Sequence, residues 1–323
     1  MKPPRRRFLN LAAGAVALPV VSRIARAQTY PARPLRLIVG FAAGTTPDIV
    51  GRLIGQWISE RFGHPVVVEN RTGAGSNLGT ETVVKAPPDG YALLLATSAN
   101  AINTTLYDKL NFNFGRDIVP VAGIVRLPNV MEVNPSVPAK TVSEFIAYAK
   151  ASPGKINMAS GGKGSVSHLA GELFKMMTGV DMLHVPYRGN PVPDLLSGQV
   201  QVMFGPMPAS IEYIRAGRLR ALAVTTTARS EALPDAPTLG EFVPGYEASA
   251  WNGVAAPKNT PAEIIDRLNR EINAGLADPK LKARFAELGG TVLAGSPADF
   301  GKLIGEETEK WAQVIRLANI KPE

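Results

Sequence analysis

A chain of 323 residues, 45% of them hydrophobic, is longer than a single hydrophobic core usually supports and long enough for two domains. It has no cysteine, which excludes disulfide stapling, and only three histidines, His64, His168 and His184, none at metal-ligand spacing from another, which argues against a zinc site. The formal charge of +8 resembles a nucleic-acid-binding footprint, but Lys2, Arg5, Arg6, Arg7, Arg23 and Arg26 supply six of those charges with no acid among residues 1–27; beyond them the balance falls to +2, no Lys/Arg cluster interleaved with aromatics remains, and nucleic acid is not an expected partner.

The first segment reads as an export signal. Arg5-Arg6-Arg7-Phe8-Leu9 precedes an apolar run from Leu11 to Val21 and a small-residue cleavage site, Ala25-Arg26-Ala27. Adjacent arginines before Phe-Leu fit the twin-arginine route, whereas Pro4 and Asn10 stand where that pattern has Ser and Lys, so the general secretory route stays open. The run has about half of the ~20 apolar residues needed to cross a bilayer. Residues 1–27 are therefore expected to be a signal peptide, and the mature protein to work in the periplasm.

Beyond it, short apolar runs alternate with helix-period segments, the pattern of parallel sheets covered by helices. Leu35–Val39, Val66–Glu69 and Tyr91–Ala96 are predicted strands, with a helix over Asp48–Arg61. The pattern recurs as a strand over Ile156–Ala159, a helix over His168–Thr178, and strands over Met182–Pro186 and Val200–Phe204. At an offset of 120 the halves superpose Gly44 on Gly164, Thr45 on Ser165, Asp48 on His168, Gly51 on Gly171 and Leu53 on Leu173. Two similar lobes need crossovers, placed at Gly123–Val133 outward and Ala248–Ala255 on return; residues 28–125 with 254–323 form the expected first lobe, and 126–253 the second. Everything after the return is expected to be helical: Thr260 as N-cap with Pro261 and a capping-box Glu263, then a last helix opened by Ser296-Pro297, whose stripe Phe300, Leu303, Ile304, Trp311 and Ile315 should pack on the first lobe.

Several segments carry a family resemblance: Pro65-Val66-Val67-Val68-Glu69-Asn70-Arg71, Gly73-Ala74-Gly75, Pro88-Asp89-Gly90-Tyr91, Asn134-Pro135-Ser136-Val137-Pro138, Ser167 through Phe174, His184-Val185-Pro186-Tyr187 and Leu219 through Val224. In this order they resemble the Bug family, the solute receptors of tripartite tricarboxylate transporters. The resemblance implies an α/β periplasmic-binding-protein fold: two pseudo-symmetric lobes with a cleft between them and hinge crossover strands. It also implies a receptor, without cofactor or catalysis, that takes a small organic acid through loop amides and waters and delivers it to membrane permease subunits, as a monomer. The sequence departs from the family pattern at Gly40 (usually Pro), at Thr45 (usually a second Gly) and at Gly205, where an Asp often follows Met-Phe. These departures leave the identity of the carboxylate open.

A carboxylate leaving water needs donors, and the first turn of a helix supplies unpaired N–H groups aligned with its dipole. Gly44-Thr45-Thr46-Pro47 at a strand-to-helix turn fits, with Ala43 and Phe41 beside it and Asp48 capping the turn or holding a water. In the second half, Ser160-Gly161-Gly162-Lys163-Gly164-Ser165 ahead of His168 makes an anion-friendly nest. His168 reads either as a structural histidine or as a contact, Tyr187 as a cleft wall, and Arg188 and Lys163 either as partners of a distal carboxylate or as solvated rim. Ser98, Asn100, Gly205 and Pro206 complete the candidate set because they sit where strands end. Gly73-Ala74-Gly75-Ser76-Asn77-Leu78-Gly79 mimics a dinucleotide fingerprint with one residue too many, and reads better as a tight turn. The rival functions are a periplasmic enzyme using Asp48 or His168 as acid or base, for which no orienting partner is visible, and a ligand receptor for a sensor kinase.

Overall fold

A computed structural model describes residues 30–322; the expected signal peptide lies outside the described residues. The chain begins β1 (Leu35–Val39), α1 (Thr46–Phe62), β2 (Val66–Asn70), α2 (Asn77–Val84), β3 (Ala92–Thr97), α3 (Ser98–Leu106), α4 (Phe114–Asp117) and β4 (Ile118–Leu127). It crosses into β5 (Asn129–Val133), α5 (Val142–Ala151), β6 (Asn157–Ser160), α6 (Val166–Thr178), β7 (Leu183–Pro186), α7 (Val192–Ser197), β8 (Val202–Pro206), α8 (Met207–Arg215) and β9 (Arg220–Val224). It returns through β10 (Ala250–Pro257), α9 (Ala262–Ala277), α10 (Pro279–Glu287), β11 (Thr291–Val292) and α11 (Pro297–Leu317).

Two mixed sheets result, ordered β11-β4-β10-β3-β1-β2 and β7-β6-β8-β5-β9. The parallel trio β3-β1-β2 in the first corresponds to the parallel trio β7-β6-β8 in the second, and β10 and β5 lie antiparallel beside them. Helices cover both faces of the first sheet, which is why β3 reads as an unbroken apolar run. Leu93 and Leu95 join Leu37, Val39 and Ile54 in one core, while Leu94 and Ala96 join Ile38, Trp251 and Phe300 in the other. In the second sheet Met131, Val133, Met158, Val202 and Phe204 form the core toward α5 and α6.

Three expectations about the C-terminal third change. Thr260 does not cap α9, because its hydroxyl donates to Pro257 O at 2.7 Å within the turn that precedes the helix, leaving Pro261 as an N-cap without a side-chain bond. The segment is not wholly helical, since Thr291 and Val292 pair with Arg126 and Val125 on the edge of β4; two residues show no period in sequence. Finally, α11 serves both sheets: Phe300 and Ile304 pack on the first, whereas Trp311 and Ile315 join Phe174 and Phe204 in the core of the second. Its 21 residues span about 30 Å at 1.5 Å per residue. Ser296 caps it as expected, with Asp299 completing the capping box.

Candidate binding cleft

The two loops matched at offset 120 are built from the same hydrogen bonds. Gly44 has φ +81° and Gly164 φ +74°, left-handed values that favour glycine, and Thr45 and Ser165 follow as extended N-caps of α1 and α6. The Thr45 hydroxyl donates to Ala42 O at 2.7 Å, and the Ser165 hydroxyl donates to Gly162 O at 2.7 Å. Asp48 Oδ2 accepts from Gly44 N at 2.9 Å, and His168 Nδ1 accepts from Gly164 N at 3.1 Å. A carboxylate and an imidazole thus perform one task, each closing its loop from the third helical position. The N–H groups of Thr46, Val166 and Ser167 then make no hydrogen bond among the described residues and remain as donors at the positive ends of two helices.

Other partners complete each lock. Asp48 also accepts from Arg52 Nε at 2.9 Å and Asn70 Nδ2 at 2.8 Å, and Asn70 donates to Phe41 O at 2.9 Å. Burial pushes the Asp48 carboxyl up, but its bonds to Arg52, Gly44 and Asn70 reverse this and hold it below the ordinary range. His168 stacks on His184 with ring centroids 3.6 Å apart and planes 9° from parallel, and Ser160 Oγ lies 2.6 Å from His184 Nε2. Because His168 Nδ1 accepts, its proton is assigned to Nε2, 3.7 Å from Glu172 Oε1. Burial first, and the neighbouring His168 second, push His184 down to about 4.

Between the sheets, where the strand ends face each other, lies a cleft of about 430 Å³. Four helices begin at it: α1 through Thr46 and Pro47, α3 through Ser98 and Ala99, α6 through Val166 and Ser167, and α8 through Pro208 and Ala209. Among the described residues no Asp, Glu, Lys, Arg or His lines it. Phe41, Leu127, Pro128, Met203 and Trp251 supply apolar wall. The second loop comes close to the first half of the chain, since a Cβ on Gly164 would lie 2.2 Å from Leu106 Cδ2 of α3. A wider groove of about 680 Å³ follows α3, β4 and α11; among the described residues it draws no wall from the second sheet, and Gly115 of the four-residue α4 is its one residue from the first turn of a helix.

Of the candidate residues, Phe41, Thr45, Ser98, Gly161, Gly164, Ser165 and Pro206 line this cleft. Ala43, Gly44, Asp48, Asn100, Ser160, His168, Tyr187, Arg188 and Gly205 do not. Gly44, Asp48, Ser160 and His168 form the loop locks, while Ala43 and Arg188 lie exposed beside the two loops. Asn100 Oδ1 accepts from Thr97 N at 2.7 Å and its Nδ2 donates to Thr80 Oγ1 at 2.7 Å, so its amide supports α3 from beneath. The Tyr187 hydroxyl donates to Asp194 at 2.6 Å; burial, then this bond, raises it to about 12. A Cβ on Gly205 would lie 2.3 Å from Met203 Cε and 2.5 Å from Glu132 Oε1, so these two side chains occupy the room that an Asp at 205 would need. Lys163 lines a separate depression with His168, His184 and Lys175. Sequence reasoning missed Asn129, Asn190, Pro208, Ala250, Trp251 and Asn252 as cleft residues. The crossover segments held a usable signal, because chain passing between two lobes must border the space between them.

The sequence matches the family described as "Tripartite tricarboxylate transporter family receptor" over residues 50–320. Protein BugT of Bordetella pertussis is 38% identical over 316 residues, covering 96% of this chain and 95% of BugT. A structure of an R. palustris protein with adipate is 36% identical, with a TM-score of 0.80 over 91% of this chain and 100% of that one. MatC from Rhodopseudomonas palustris with bound malate is 30% identical, with a TM-score of 0.75 over 88% of this chain and 100% of MatC. With the match spanning both sheets and the cleft between them, the chain belongs to the receptor family of the tripartite tricarboxylate transporters.

Proposed function

We propose that the protein is an extracytoplasmic receptor that encloses a small organic carboxylate in this cleft and delivers it, as a monomer, to the permease subunits of its transporter. The observation that carries this reading is the convergence of four helix N-termini on a cleft that no charged side chain lines among the described residues. Such a site offers an anion many N–H donors and no fixed cation, so grip comes from dipoles and hydrogen bonds. The adipate and malate held by its relatives are dicarboxylates, which supports the same ligand class here.

Receptor rather than enzyme is favoured by what the polar groups are engaged in. The hydroxyls of Thr45 and Ser165 hold their own loops, Ser98 Oγ accepts from Trp251 N at 2.8 Å, and Asp48 and His168 are locked behind the cleft. Among the described residues no base lines the cleft to activate a nucleophile. The export signal read over residues 1–27 supports a periplasmic site of action, and among the described residues no helix is long and apolar enough to cross a membrane. A thermal-shift screen of organic acids tests the reading. A true ligand at 100 times its dissociation constant adds about 2.7 kcal/mol of stability and is recovered unchanged. Stabilisation by no carboxylate, or chemical conversion of the one that binds, would refute it.

A further inference from the structure

The two loops that face each other across the cleft are locked by the same bond to different acceptors, and the acceptors answer protons differently. Gly44 N donates to a carboxylate, Asp48, whereas Gly164 N donates to an imidazole, His168. Burial pushes Asp48 up, but Arg52, Gly44 and Asn70 hold it below the ordinary carboxylate range, so it goes on accepting throughout the neutral range. An imidazole accepts at Nδ1 only while that nitrogen carries no proton, and imidazoles are the side chains that take up a proton near neutral pH.

His168 is buried, so a few neighbours decide what its charge would meet. On its own helix, Nε2 lies 3.7 Å from Glu172 Oε1, and Lys175 Nζ donates to the same oxygen at 3.1 Å. Burial pushes the Glu172 carboxyl up, but His168 and Lys175 hold it below the ordinary range, which leaves an anion beside Nε2. From β7, His184 stacks on the ring and stays neutral, since burial and then His168 push it down to about 4. Lys163 of the loop and Lys321 of the C-terminal stretch border the same depression. Glu172 thus favours an imidazolium at this position, and the three lysines oppose it. With Nε2 already protonated toward Glu172, the second proton goes to Nδ1, where it meets the Gly164 N–H; two donors share no bond, so Gly164 is released.

That release reaches the cleft directly. Gly164 is a wall residue, as are Gly161, Ser165, Val166 and Ser167 of the same loop and helix start. Its left-handed φ of +74° is held by the bond to His168, and it sits so close to α3 that a Cβ there would meet Leu106. Resting on the carboxylate reading above, we infer that His168 is a positioning residue gated by protons: neutral, it holds the second loop in its binding form; protonated, it frees Gly164 and weakens the hold on the solute's carboxylate. Reciprocity then requires that binding drive the proton off His168.

Two measurements test this. In the wild-type protein without solute, the Gly164 amide signal followed by NMR should titrate together with the His168 ring and lose protection from exchange on the acid side. A Gly164 amide that ignores the titration of the ring would overturn the gate. Calorimetric titration with the acids of the screen, adipate and malate first, then compares wild type with His168→Asn at about pH 8 and about pH 5.5. The asparagine amide oxygen keeps an acceptor for Gly164 N and takes up no proton. Protonation of the acid itself, and of groups common to both proteins such as Glu132, cancels in the ratio of the two affinities. Between the two pH values the wild type should lose about fivefold or more affinity relative to the variant. The NMR titration needs no variant and decides the gate if His168→Asn does not fold. Affinities that change in parallel in the two proteins would overturn the inference while leaving a carboxylate receptor. Binding of no acid in the screen at either pH would overturn the carboxylate reading and the affinity effect inferred from it.

Discussion

Glu132 is a buried acid that the binding function does not use, and replacing it tests how well burial has been read. It stands on β5 between Met203 of β8 and Ala221 of β9, has no exposed surface, and neither carboxyl oxygen has a hydrogen-bond partner among the described residues. The Ser210 hydroxyl, from α8, faces it but stops short of a bond. Burial pushes its carboxyl up to about 8, so the folded protein keeps a proton that the unfolded chain releases above its ordinary value of 4.5. That contribution to stability is full below pH 4.5 and is lost as pH rises toward 8; at about 1.4 kcal/mol per unit the loss reaches roughly 3–5 kcal/mol. Methionine has similar length and no polar atom, and the change of shape costs up to about 1.5 kcal/mol. Glu132→Met should therefore be about 2–3 kcal/mol more stable than wild type at pH 8 and gain much less at pH 5. Urea unfolding of both proteins at the two pH values, followed by tryptophan fluorescence, measures the difference. A wild type equally stable at pH 5 and 8, with no gain in the variant, would mean that the carboxylate is ionised and solvated, and would refute the account.

The stacked histidines give an opposite pH window. His184, lowered from 6.5 to about 4 by burial and His168, stays neutral while the unfolded chain protonates, so stability is full above pH 6.5 and falls as pH drops toward 4. Allowing for its partial exposure, the fall is about 1–2 kcal/mol, best seen by thermal melts in the Glu132→Met background, where the rival slope is absent. Glu247 joins the returning segment to β4 and α11, accepting from Arg126 at 2.7 Å and Lys310 at 2.6 Å. Glu247→Ala leaves Arg126 without its carboxylate, while Lys310 keeps Glu307, and should cost about 1–2 kcal/mol in urea unfolding, whereas an unchanged midpoint would show the pairs to be solvated. Thr45→Asp places a negative charge at the mouth of an anion site and should weaken the carboxylate found by screening by about tenfold or more, whereas exposed Thr72→Asp leaves calorimetric affinity unchanged.

The sequence determined the units of this protein. Val39 ending an apolar run, a left-handed glycine, a hydroxyl N-cap and an amphipathic helix are local events, and they recur 120 residues later as Gly164, Ser165 and His168. Local chemistry decides each of them, so the loops and their helices were legible without a fold. The pairing of Asp48 with His168 was legible too, but not its meaning: only the structure shows that both accept from the glycine four residues back and so stand behind the cleft.

Tertiary structure decided whatever depends on how remote segments meet. Trp311 read as a residue of the first lobe and lies in the core of the second, because nothing in a helical stripe states which sheet it will cover. The start of α8, the Pro128 crossover and Asn252 reach the cleft only because β4, β5 and β10 carry the chain between two sheets. Asn252 shows the limit most clearly. Alternation along a strand gives the side a residue faces, but the Asn252 amide oxygen is enclosed without a partner among the described residues, and no local pattern records an absence of contacts with chain far away in sequence.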